Sequence, residues 1–155
     1  MKVKILLSLM LFWAIPSSFA QLKSYSFEEA EQRTKTDPKP IVVFVHTSWC
    51  KICKMMEQST FKNSEVIDEL NTNFYFVPLD AETKRDIWFN EHQFQFKPIG
   101  TTTGVHELAT ALATIDGVVS YPTLTVLDLE RTIVFQKNSY LDAKTFLLVF
   151  EQLRH

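Results

Sequence analysis

The sequence predicts an α/β fold, a mixed sheet with helices on both faces and a short aromatic hairpin insertion. Three observations carry this expectation. The run Ile41-Val42-Val43-Phe44-Val45-His46 is almost continuously apolar, as a strand covered on both faces is, and a helix-forming segment follows it directly. A second buried strand, Phe74–Leu79, comes after two helical stretches. Toward the C-terminus, Leu124–Leu127 and Ile133–Phe135 read as two strands joined by a turn at Asp128–Arg131, with a helix behind them. The resulting order is β-α-β-α-β-β-α with one extra leading helix, an alternation that layered α/β domains share.

Taken in order, the chain opens on a segment that does not belong to this pattern. Met1-Lys2-Val3-Lys4 is basic, Ile5 to Ile15 is apolar, and Ser18-Phe19-Ala20 offers small residues at the two positions a signal peptidase reads. The expectation is a signal peptide over 1–20 and one domain over 21–155, with a retained membrane anchor as the alternative. No Cys follows the cut, so no lipoprotein anchor is expected. Ser26-Phe27-Glu28-Glu29 has the form of a capping box and opens a helix through about Arg33. Thr36-Asp37-Pro38-Lys39-Pro40 breaks it before the first strand.

The helix after Trp49 is predicted to run to about Ser59, and a second helical piece covers Ser64–Leu70. Ile87-Trp88-Phe89 and Phe94-Gln95-Phe96 flank the polar Asn90-Glu91-His92-Gln93, which reads as a hairpin. It lies beyond the short link that a compact α/β unit needs, so residues 82–104 are read as an insertion. Val105, Leu108, Ala109 and Leu112 fall at helical spacing, and Asp116-Gly117 is expected to stop that helix. Phe146, Val149, Phe150 and Leu153 mark one face of a C-terminal helix.

Composition bounds the function classes. At 155 residues the chain makes one domain, long enough to bury a core, and thirteen Phe against three Gly point to an aromatic interior. The formal charge is −2 and no basic cluster occurs, which argues against nucleic acid. Loss of Lys2 and Lys4 with the leader leaves 14 basic residues against 18 acidic ones, a net charge of −4. No apolar run after the N-terminus is long enough to span a membrane.

The chemistry concentrates at Trp49-Cys50-Lys51-Ile52-Cys53-Lys54. Cys50 falls at the first turn of a helix, where unpaired N–H groups and the dipole favour negative charge. The thiolate is the form of cysteine that attacks disulfides. Cys53, three residues on, shares its helix face and can close a disulfide with it. The alternatives are a structural bridge, which closes a very short loop and removes little unfolded-state entropy, or a metal site. A zinc site needs about four ligands, and the sequence holds only these two cysteines. Disulfides persist outside the cytosol, so export fits a redox pair.

A strand, then Trp-Cys-x-x-Cys, then a helix resembles the thioredoxin fold. Cys53-Lys54-Met55-Met56-Glu57, with Thr60-Phe61 and Val66, is similar to the C-terminal thioredoxin domain of DsbD-type disulfide reductases and to small exported bacterial thioredoxin-related proteins. Some of the latter share the aromatic hairpin and the Gly104-x-His106-Glu107-Leu108-Ala109 stretch. The resemblance covers about Lys39 to Leu153. It implies a thiol–disulfide oxidoreductase, leaning reductase, in the bacterial periplasm. Cys50 is the nucleophile, Cys53 the resolving thiol, and no cofactor is needed. The partners are protein thiols and disulfides and an external redox partner, and the chain is a monomer. It also implies a cis bond at Tyr121-Pro122, which would turn the Tyr121 backbone toward the cysteines so that a substrate strand can pair with it. Trp49 and Lys51 join Tyr121 and Pro122 as substrate-binding candidates.

One departure bears on mechanism. Thioredoxins usually place a buried Asp six residues before the first cysteine to relay a proton to the second. Here that position is Phe44, and the Lys that often accompanies the Asp is replaced by Phe76. Glu57, four residues after Cys53, is the candidate relay if burial beneath the site raises its pKa. His46 is the weaker candidate, because imidazole titrates near neutrality. Two rival classes stand beside the oxidoreductase. One is a copper-binding or copper-delivery protein using Cys50, Cys53, His46, Met55 and Met56. The other is a non-catalytic interaction module.

Overall fold

The computed structural model describes residues 21–154; the predicted signal peptide, 1–20, lies outside them. Strand β1 (Ile41–His46) is central and wholly apolar until its last residue. It pairs in parallel with β2 (Tyr75–Asp80), Ile41 opposite Tyr75 and His46 opposite Asp80. On its other side it pairs antiparallel with β9 (Thr123–Leu127), which in turn pairs antiparallel with β10 (Ile133–Lys137) across a register shift between Ile133 and Phe135. The order β10-β9-β1-β2 is thus a mixed sheet with β2 and β10 at its edges. Tyr75 N–H reaches Pro40 O, so by alternation Phe76, Pro78 and Asp80 direct their backbone groups outward. Tyr25 N–H caps Phe76 O from that side.

Helices cover both faces. Helix α1 (Phe27–Thr34) begins with the capping box, Ser26 with Glu29, and buries Phe27 and Ala30. With α4 (Glu107–Ala113) it packs on Val43, Val45, Tyr75, Val77 and Leu79. Helices α2 (Lys51–Gln58), α3 (Ser64–Asn73) and α5 (Ala143–Phe150) cover the opposite face, over Val42, Phe44, Phe76, Leu124 and Val126. Phe146 and Phe150 stack at 3.8 Å, and Phe61, in the 3-10 turn Thr60–Lys62, meets Phe44 edge-on at 4.9 Å. Alternate residues of β1 therefore serve two separate aromatic and aliphatic cores, as a doubly covered strand must. Among the described residues no helix is long and apolar enough to cross a membrane.

Two stretches differ from the expectation. The aromatic hairpin pairs β3 (Ile87–Phe89) with β4 (His92–Phe94) around a tight turn at Asn90-Glu91, both at positive φ. Phe96 is not in that hairpin: β5 (Phe96–Pro98) forms a second ribbon with β6 (Gly104–His106). A two-residue turn with both residues left-handed matches the twist of the strands, and that selects the shorter register. A Cβ on Gly104 would lie 2.4 Å from Lys97 O and from the Phe96 ring, so the second ribbon closes only around glycine. Val105 accordingly sits in a strand, and α4 starts at Glu107. Asp116-Gly117 does not end α4; it turns a small ribbon, β7 (Thr114–Ile115) with β8 (Val118–Val119).

His106 explains how α4 starts. Its ring is fully buried, Nδ1 accepts the Leu108 N–H at 3.2 Å, and Nε2 lies 3.1 Å from Arg85 O. The imidazole is therefore the N-cap of α4, and its other nitrogen holds the root of the first ribbon. Burial pushes its pKa down, against the opposing pull of the Arg85 carbonyl, Glu107 and Asp86.

Candidate active site

Strand β1 ends at His46, and the chain turns through Thr47-Ser48-Trp49 into α2, whose N-cap is Cys50. A cap residue has extended backbone and turns its side chain toward the free N–H groups of the first turn. Cys50 does this with sulfur: its Sγ accepts the Cys53 N–H at 3.1 Å. Cys50 and Cys53 form a disulfide with Cα atoms 5.2 Å apart. Cys50 is 6% exposed and Cys53 0%, so Cys50 is the residue nearer solvent. Cys53 and Met56 are the inward residues of α2, whereas Lys51, Ile52, Lys54, Met55 and Glu57 are exposed.

Trp49 is 62% exposed, and its indole N–H donates to Glu82 Oε1 at 3.2 Å. Its ring meets Tyr121 edge-on at 6.0 Å. The Tyr121–Pro122 bond is cis, and Pro122 is buried at the start of β9. Among the described residues the buried Tyr121 hydroxyl meets no hydrogen-bond partner, nor does Thr47 Oγ1. Burial above all, then the charges of Glu82 and Asp80, raises the Tyr121 phenol. Trp49 thus meets Tyr121, which leads into Pro122 and packs against the core cluster that holds the disulfide. Lys51 stands exposed on the helix beside it. Glu82 was not legible as part of this site: it is simply the second residue past β2, and only the fold brings it to Trp49.

The relay candidates lie on the face of β1 that α2 covers, beside the core cluster that holds Phe44 and the two cysteines. Phe44 is buried, 1% exposed, between Phe61 and Phe76. His46 stacks on Phe44 at 5.3 Å, and its Nδ1 stands 3.9 Å from Glu57 Oε1. Glu57 is not buried beneath the cysteines as anticipated: its side chain is 46% exposed. The reason is helical phase. Cys53 and Met56 take the inward positions, and Glu57, one residue further round, falls on the rim. It borders a cleft of about 720 Å³ walled by Phe44, Phe61 and Phe76. Of the residues the copper alternative requires, Met56 is buried in the core, Met55 is exposed, His46 faces Glu57, and the two sulfurs are bonded to each other. Among the described residues no three His, Cys, Asp or Glu side chains gather as metal ligands.

A family model described as a thioredoxin-like domain matches residues 27–154. The chain belongs to that family. Among curated relatives, Spermatogenesis-associated protein 20 of Rattus norvegicus is 40% identical over 60 residues, 39% of this chain and 8% of that protein. Thiol:disulfide interchange protein DsbD of Campylobacter jejuni (strain RM1221) is 31% identical over 56 residues, 36% of this chain and 10% of that protein. The chain therefore spans about a tenth or less of the relatives it matches. A solved structure titled DsbH oxidoreductase superposes with a TM-score of 0.61 at 20% identity, covering 92% of this chain and 90% of its own.

Proposed function

We propose that this member of the thioredoxin-like family is an exported thiol–disulfide oxidoreductase that exchanges disulfides with protein partners and leans toward reduction. The observation that carries the reading is the Cys50–Cys53 disulfide at the N-terminus of α2, with Cys50 Sγ accepting a backbone N–H. A sulfur held there is stabilised as a thiolate by the N–H and by the helix dipole, and that raises the fraction present in the attacking form. Cys50, the less buried sulfur, makes the first attack; Cys53, shielded in the core, resolves the mixed disulfide. The lean toward reduction rests on the similarity to DsbD-type domains, as do the periplasmic location and the need for an external redox partner. Trp49, Lys51, Tyr121 and Pro122 frame the surface that a substrate segment meets, and the chain works as a monomer.

The test is covalent trapping. Cys53→Ser keeps the attacking thiol and removes the resolving one, so mixed disulfides with partners should accumulate through Cys50. Cys50→Ser should trap nothing comparable. Equal trapping by both variants, or none by Cys53→Ser, would sink the assignment. Equilibration of the purified protein with glutathione then sets the direction.

A further inference from the structure

Just before Tyr121 the chain makes a ribbon with an open edge. Strand β8 pairs antiparallel with β7, Ile115 opposite Val118 and Thr114 opposite Val119, around Asp116-Gly117, both at positive φ. In an antiparallel pair, hydrogen-bonded and non-hydrogen-bonded positions alternate. Ser120 N–H reaches Ala113 O at 3.4 Å, which makes Ser120 and Val118 the hydrogen-bonded positions. The Val119 N–H and C=O therefore point away from β7. No further strand lies on that side among the described residues, because the ribbon is two-stranded. Tyr121 is the next residue of the same parity. The edge is also held firmly. The Ser120 carbonyl accepts the Thr123 hydroxyl at 2.7 Å, and its hydroxyl accepts from Asn138 Nδ2 at 3.1 Å. Ahead of the ribbon, Leu112 O accepts from Thr125 Oγ1 at 2.6 Å and from Gln136 Nε2 at 3.1 Å. Backbone fixed in this way loses little freedom on binding. A two-stranded ribbon has no core of its own to fill, and Val118 and Val119 are 61% and 37% exposed. The charged residue of the ribbon is Asp116, at its tip.

We propose that the β8 edge at Val119 takes up an extended segment of the partner protein as a further strand, and that Val118 and Val119 select apolar residues in that segment. The proposal rests on the oxidoreductase reading and deepens it. Trp49, Lys51, Tyr121 and Pro122 meet the partner at its cysteine, whereas the ribbon reads the chain beyond it. Strand residues alternate in direction, so the partner residue about two positions from the one that meets Tyr121 falls opposite Val119. Its N–H and C=O exchange hydrogen bonds with those of Val119. Its side chain stands beside the Val119 isopropyl group, as cross-strand neighbours do, and a β-branched or aromatic residue fits best there. Val118, on the other face of β8, meets the partner residue next to it. The main-chain bonds give affinity for any extended segment, and the two valines give preference among such segments. A partner whose disulfide lies in a tight loop, or a small disulfide with no backbone, misses both contributions.

The experiment oxidises the reduced full chain with two disulfides. One is a peptide disulfide with Val residues flanking the cysteine; the other is hydroxyethyl disulfide, which has no peptide backbone. Second-order rate constants are read by acid quench and mass spectrometry for wild type and Val119→Pro, which deletes the outward N–H and keeps the bonds to β7. The ratio of the peptide rate to the hydroxyethyl disulfide rate should fall about three- to tenfold in the variant, the worth of one hydrogen bond. Exchanging the peptide's Val residues for Asp should lower the wild-type ratio as well. Should Val119→Pro fail to fold, N-methylation walked along the peptide gives the same test on the wild-type chain, with losses expected at alternate residues. An unchanged ratio in the variant, or N-methyl losses spread evenly over successive residues, would overturn the β8 edge while leaving the oxidoreductase reading intact. An equal or higher ratio with the Asp peptide would overturn the apolar preference. A wild-type chain that exchanged neither disulfide would overturn both the edge and the reading it rests on.

Discussion

Removing the His106 imidazole is expected to destabilise the fold far more than a mid-chain histidine ordinarily would. The ring is 0% exposed and contributes two contacts: it caps Leu108 N–H at 3.2 Å and reaches Arg85 O at 3.1 Å. His106→Ala leaves the buried Leu108 N–H unpaired, at about 1–3 kcal/mol. The partly buried carbonyl and the vacated volume add to this, for a total of about 2–4 kcal/mol. Domains of this kind hold only about 5–15 kcal/mol in all, so the urea midpoint should fall markedly. The same contacts fix the sign of a pH effect. The native state binds the neutral ring, so its pKa lies below the ordinary imidazole value of 6.5. The stability it contributes is fully present above pH 6.5 and is lost as pH falls through the lowered native value. His106→Asn, which keeps a capping oxygen but does not titrate, should flatten that part of the profile between pH 7 and 5. If wild type and His106→Asn lost stability in parallel over that range, the imidazole would not be the titrating latch.

Two further perturbations test the packing around the site. Gly104→Ala forces a methyl against Lys97 O and the Phe96 ring, each 2.4 Å from the new atom, and should cost about 1–3 kcal/mol. Amide exchange should rise first in the second ribbon, and unchanged exchange there would refute the close approach. Phe44→Asp restores the acid that thioredoxins usually carry, but into a site shaped by Phe61, Phe76 and His46. The lost ring alone is worth about 3–5 kcal/mol. A buried carboxylate adds to that at neutral pH, so the variant should unfold far more readily than wild type. A wild-type urea midpoint would show that the aromatic cluster is not what holds this face.

The parts of the fold that were legible in the sequence were those that local pattern dictates. Ile41–Val45 is apolar at every position because both faces of β1 are covered, and Ser26-Phe27-Glu28-Glu29 caps its helix by chemistry contained in four residues. The C-x-x-C pair was legible for the same reason, since three residues on a helix fix a face. What sequence did not resolve depends on neighbours far away in the chain. Whether Phe94 or Phe96 pairs with Ile87 turns on a backbone conformation at Asn90-Glu91 and on what Gly104 lets approach. Glu57 and Cys53 share a face at four-residue spacing, but Met56 filled the inward position beside Phe44, and that leaves the carboxylate on the rim. Histidine is an unusual N-cap, so no composition rule marked His106; its part emerges only when Arg85 and Leu108 are seen beside it.

The two outer strands of the sheet have a consequence for the company this protein keeps. Its proposed partners are proteins that carry disulfides, and an extended segment of such a partner could add to a free sheet edge. Pro78 stands exposed in β2 with no N–H to offer at the outward position, and Tyr25 already occupies Phe76 O. At the other end, the irregularity between Ile133 and Phe135 breaks the regular spacing of β10. A sheet closed at these points leaves an extended partner segment little backbone to pair with outside the surface that Trp49, Tyr121 and Pro122 are proposed to offer.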